Sequence, residues 1–66
     1  MFDSKEVSFN NDVDNIRSQA ERLQLYAISL SRAESSRSRK SLLNTIENIV
    51  ADISAYCGDI RSEIAS

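Results

Sequence analysis

The stretch Leu42-Leu43-Asn44-Thr45-Ile46-Glu47-Asn48-Ile49-Val50-Ala51-Asp52-Ile53-Ser54-Ala55-Tyr56-Cys57-Gly58-Asp59-Ile60-Arg61-Ser62-Glu63-Ile64 decides how this chain folds. Its eight large aliphatic residues, with Tyr56 and Cys57, recur at helical spacing and fall within an arc of roughly 140° at 100° per residue. Asn44, Glu47, Asn48, Asp52, Asp59 and Ser62 occupy the other side. A two-stranded seam needs only the a and d rows. Here Leu43, Val50, Cys57 and Ile64, spaced seven apart, add a third row beside them. An arc of that width predicts a helix over about residues 37–64 that is covered by two neighbouring helices rather than one. Gly58 is unfavourable in a helix interior by about 1 kcal/mol relative to alanine. Because Ile60 and Ile64 keep phase beyond it, the helix is expected to continue, a kink or an end at Cys57 being the alternative.

Toward the N-terminus a second regular pattern predicts a partner helix over about residues 11–33. Val13, Ala20 and Ala27 form one heptad row and Ile16, Leu23 and Leu30 the other, with Phe9 one heptad earlier. Small residues alternating with large ones allow close approach of two helices, so Ala20, Leu23, Ala27 and Leu30 are expected to pack on Ile46, Ile49, Ile53 and Tyr56. Two starts compete. Asp3-Ser4-Lys5-Glu6 has the form of a capping box, with Phe2 and Val7 placed as a hydrophobic staple. Asn10 or Asn11, followed by Asp12 and Asp14, suits the positive end of a helix dipole. Since Val7-Ser8-Phe9-Asn10-Asn11 is poor helix material, the later start is preferred and residues 1–10 are read as an N-terminal arm. Leu25 lies nearly opposite the stripe and Ile28 about 120° from its centre, which marks them as a docking patch, a second chain's contact, or scattered surface apolars.

Between the two patterns, Ser31-Arg32-Ala33-Glu34-Ser35-Ser36-Arg37-Ser38-Arg39-Lys40-Ser41 breaks the apolar periodicity. One unbroken helix would rotate by about 120° from Leu30 to Leu42 and set the two stripes on different faces. A turn at about 34–37 removes that conflict, with Ser35 or Ser36 as N-cap, although the stretch has no Gly, Asn or Pro. A single long helix with different partners along its length is the alternative. Arg37, Arg39 and Lys40 then sit where the dipole is already positive. Three causes suit that placement: a solvated tip, attraction to an acidic region of another molecule, or an anion such as nucleic-acid phosphate contacted by Arg32, Arg37, Arg39 and Lys40. No aromatic residue is interleaved, so a base-stacking platform is not indicated. Short basic matches around Ser35, Ser36, Ser38 and Ser41 also suit a basophilic kinase.

The remaining features set bounds. A chain of 66 residues is one domain at most, of a size that leans on disulfides, metals or association. With one cysteine and no histidine, association is left. The absence of Pro and the single Gly predict an all-α fold. Formal charge is −2 overall, distributed as −2 over residues 1–31, +3 over 32–41 and −3 over 42–66. No apolar run of signal-peptide or membrane-span form is present, and a lone Cys57 suits a reducing interior, so the expected location is cytoplasmic. Without histidine there is no imidazole base for serine or cysteine, and the carboxylates stand on polar faces. No enzymatic activity, cofactor, metal, membrane or small-molecule substrate is expected. Cys57, inside the apolar arc, is read as a buried small hydrophobe, its sharper alternative being a disulfide across a dimer axis.

The resulting expectation is a two-helix antiparallel hairpin that pairs with a copy of itself into a homodimeric four-helix bundle. Its function would be protein–protein interaction, as an adaptor, regulator or chaperone-like protein. The interface residues would be Leu23, Leu25, Ile28, Leu30, Leu43, Val50, Cys57 and Ile64. A heteromeric complex, in which Leu25 and Ile28 dock on a different helical protein, is a rival. In outline, and in the local run Ile16-Arg17-Ser18-Gln19, the chain is similar to the plasmid RNA-binding Rop family. The resemblance implies architecture, and it supplies the second functional reading, RNA binding through Arg32–Lys40.

Overall fold

In the computed structural model, which describes the backbone of residues 4–65 and side chains from Glu6 onward, the chain is two helices packed on each other, α1 over Ser4–Arg32 and α2 over Ser36–Ala65, with no strand among the described residues. The hairpin is long and thin, its Cα atoms spanning 53 × 19 × 11 Å. The turn lies at 33–35, and a single long helix is ruled out.

Why the chain turns there without glycine is visible in its hydrogen bonds. Ser31 Oγ donates to the Ile28 carbonyl at 2.6 Å, and the Ala33 N–H donates at 3.2 Å to the Leu30 carbonyl, one of the orphan acceptors at the end of α1. Ser35 caps α2: its Oγ accepts from the Ser38 N–H at 3.1 Å, while its carbonyl takes the first helical bond from the Arg39 N–H at 3.0 Å. Arg39 Nε then reaches back to the Ala33 carbonyl at 3.0 Å. No described residue has a positive φ, so the connection needs no left-handed conformer.

At its start the first helix corrects the sequence reading. α1 begins at Ser4 rather than near Asn11, so residues 4–10, expected in an arm, are helical. Glu6 in the first turn suits the dipole, and a helix already propagating N-terminally from Val13 gains one backbone bond per residue added, which outweighs the weak propensities of Val7 to Asn11. Asp3 and Phe2, assigned to a capping box and staple, lie outside the described residues. α2 runs through Gly58 without interruption. A Cβ there would meet nothing within 4 Å. Gly58→Ala is therefore expected to raise stability by about 1 kcal/mol, read as a higher midpoint in thermal melts followed by circular dichroism.

The seam between the helices has a heptad period, flanked by half-buried Val13 and Thr45. From α1 and the turn it takes Asp12, Ile16, Gln19, Leu23, Tyr26, Leu30 and Ala33; from α2 it takes Leu42, Ile46, Ile49, Ile53, Tyr56, Ile60 and Glu63. Ile49 is the one buried apolar side chain among the described residues, 3% exposed. Leu23 and Leu30 are half-buried, but Ala20 and Ala27 are exposed. α1 is turned about its axis by roughly 50° from the orientation its alanine row predicts. That rotation puts Gln19 and Tyr26 into the seam, where a tyrosine ring removes more apolar surface from water than an alanine methyl.

Candidate functional site: an apolar broad face

The rotation of α1 determines what the hairpin leaves uncovered. Stepping one residue forward from the seam gives Val13, Ala20 and Ala27 after Asp12, Gln19 and Tyr26 on α1. The same step gives Leu43, Val50, Cys57 and Ile64 after Leu42, Ile49, Tyr56 and Glu63 on α2. In two antiparallel right-handed helices that face each other, a forward step turns both toward the same side of the pair. Both rows therefore share one broad face. A backward step from the isoleucine and leucine rows reaches Asn15, Arg22 and Ser29, and Thr45, Asp52 and Asp59, which form the opposite, polar face.

Electrostatics at the open end agree with this placement. Asp12 is almost enclosed in the seam, 9% exposed. Burial raises its pKa above the ordinary 3.8, with further upward pushes from the negative charges of Asp59 and Glu63 on α2. Asp12 thus sits on the side of the seam that carries Asp59, leaving the other side apolar. Neither Asp12 nor Gln19 was anticipated in the seam, and only the heptad that they share with Tyr26 and Ala33 could have signalled it. Because the folded state holds the Asp12 proton to a higher pH than the unfolded chain does, stability falls as pH rises upward from about 3.8 through the raised value. Asp12→Asn is expected to raise the melting temperature near pH 7, with the difference vanishing below pH ~3.5; an equal effect at both ends of the range would refute the assignment.

On the apolar face the large side chains are open to solvent. Val50 is 50% exposed, Ile64 79% and Leu43 45%. Cys57 is exposed, which corrects the expectation of a buried thiol: it stands in the third row, outside the seam that α1 covers. Near the open end a groove of about 250 Å³ is lined by Cys57, Ile60, Arg61 and Ile64. Of the remaining expected contacts, Leu23 and Leu30 lie in the seam, and Leu25, 65% exposed, points away from both α2 and the apolar face. Ile28 is exposed beyond Ala27, at the edge of that face.

Arg32, Arg37, Arg39 and Lys40 come together at the hairpin tip, all exposed. Arg32 closes α1 at its negative end. Arg39 is accounted for by its bond to the Ala33 carbonyl, a structural use that the sequence did not reveal. No helix among the described residues is long and apolar enough to cross a membrane. Fold and surface together define an α-helical hairpin with one apolar and one polar face. No protein family, curated protein or solved structure matches the chain.

Proposed function

We propose that this protein acts by protein–protein interaction, as a non-enzymatic adaptor, regulator or chaperone-like hairpin, and that its apolar broad face is the contact surface. A second copy covers that face, giving a homodimeric four-helix bundle. The observation that carries this reading is the exposed row Leu43, Val50, Cys57 and Ile64 beside the small row Val13, Ala20 and Ala27. Large and small rows of that kind are the material of a bundle core.

The surface area points the same way. The hairpin exposes 5338 Å², whereas a compact monomer of 7.4 kDa exposes about 4,200 Å². The excess, roughly 1,100 Å², is similar to the ~800 Å² that each partner buries in a standard interface. The polar opposite face limits the stack to two hairpins. Cys57, a lone thiol on the contact face, suits a reducing, cytoplasmic setting. Light scattering on the intact chain at micromolar concentration should give twice 7.4 kDa; a single-chain mass at all concentrations would refute self-association.

The gathering of four exposed cations at the tip favours a second reading, RNA binding through Arg32, Arg37, Arg39 and Lys40. Under it, RNA affinity falls steeply with added salt and disappears on charge reversal at Arg37 and Lys40. Absence of any salt-sensitive retention removes it.

A further inference from the structure

The hairpin is charged oppositely at its two ends. Its tip carries Arg32, Arg37, Arg39 and Lys40 against Glu34, a formal +3. At the open end, residues 6–14 bring Glu6, Asp12 and Asp14, and residues 57–65 bring Asp59 and Glu63 against Arg61, together −4. Between these ends the formal charges sum to −1.

Two hairpins that meet through the same face have two symmetric ways to do so. With the two-fold axis along the hairpin, tips lie side by side, and +3 meets +3 while −4 meets −4. With the axis across the hairpin, each tip lies beside the partner's open end, and +3 meets −4 twice. Both arrangements bury the same apolar rows, so burial does not choose between them. Charge does, because like charges brought together at both ends oppose association and unlike ones favour it.

We propose that a second copy of this chain docks on the apolar face head to tail, so that the basic tip of each hairpin lies against the acidic open end of the other. This rests on the self-association proposed above and adds to it the orientation and a control by ionic strength. In this arrangement α1 meets its own copy through Val13, Ala20 and Ala27, whose small side chains permit close approach, and α2 meets its copy through Leu43, Val50, Cys57 and Ile64. The axis crosses near Val50, midway along Ser36–Ala65. Cys57 then stands seven residues from the axis, about 10 Å along the helix on each side. That spacing keeps the two thiols about 20 Å apart along the bundle, beyond the reach of a disulfide.

The test uses the full chain carrying Glu34→Cys and Cys57→Ala, spin-labelled at the tip, with the label-to-label distance read by pulsed dipolar spectroscopy. Glu34 is exposed in the turn and makes none of the hydrogen bonds that form it. At 1.5 Å per residue, head-to-tail pairing separates the labels by about 45–50 Å. A distance under about 20 Å, the spacing of adjacent helices plus the labels, would overturn the orientation while leaving the dimer standing. No dipolar coupling together with a single-chain mass would overturn the dimer itself and leave the face to a different protein.

Salt gives an independent reading. The head-to-tail dissociation constant should rise several-fold as ionic strength increases from about 0.05 to 0.5 M, whereas tip-to-tip pairing would tighten as its repulsions are screened. Arg37→Glu with Lys40→Glu, both at exposed positions, should weaken the dimer at low salt at least about ten-fold. An unchanged or tighter dimer would overturn the proposal.

Discussion

Replacing Val50 with aspartate is expected to split the assembly into single hairpins, raising the dissociation constant by about 1,000-fold or more. Val50 is half-exposed in the hairpin and stands one residue beyond the seam row of Ile49, so the substitution is expected to remove little of the contact between α1 and α2. Valine and aspartate also have similar helix propensities. In the proposed dimer the same position is central, and an unpaired carboxylate enclosed there is unfavourable by about 3–5 kcal/mol. Two copies face each other near the axis, which adds like-charge repulsion. Light scattering reads the mass, and circular dichroism at the same concentration reads how much helix the separated hairpin retains. Asn48→Asp, an equal charge change toward the polar face, serves as the control and should leave the dimer intact. A Val50→Asp chain that remains dimeric would sink the assignment of this face.

Ile49→Ala acts on a different level, the hairpin itself. Ile49 is the most enclosed side chain described, 3% exposed, and lies at the middle of the seam between the leucine row of α1 and the flanking isoleucines Ile46 and Ile53. Truncating a buried isoleucine to alanine typically removes about 2–5 kcal/mol, as lost transfer energy plus the void left behind. A domain of this size has on the order of 3–10 kcal/mol in total. The melting temperature should therefore drop by roughly 10–30 °C, and at the upper end the chain is unfolded at room temperature. Leu25→Ala, at a residue 65% exposed on the far side of α1, should change stability by less than about 0.5 kcal/mol. If the two variants melted alike, the seam would be placed wrongly.

These two neighbouring positions show how the molecule divides its apolar residues. Ile49 and Val50 both belong to the wide arc of α2, yet one is buried in the hairpin and the other is left half-exposed. The arc's width was legible in the sequence because side chains three, four and seven apart share a helix surface whatever lies opposite. Its division was not, because that depends on which part of the arc α1 occupies. α1 could have presented its alanine row, as its own periodicity suggests. It presents Gln19 and Tyr26 instead, and the alanines join Val50 on the open face.

What the sequence determined by itself is therefore the local part of the answer: two helices, their turn near Ser35, the serine cap, and the phase of each apolar stripe. Those features arise from contacts within a few residues along the chain, where spacing and capping chemistry are sufficient. Only the tertiary structure decided the rotation of α1, the enclosure of Asp12 beside Asp59 and Glu63, the use of Arg39 to tie the turn, and the exposure of Cys57. Apart from the local Arg39 bond, each of these turns on how one helix is rolled against another, a choice among several apolar surfaces of similar area that no single helix's pattern can make.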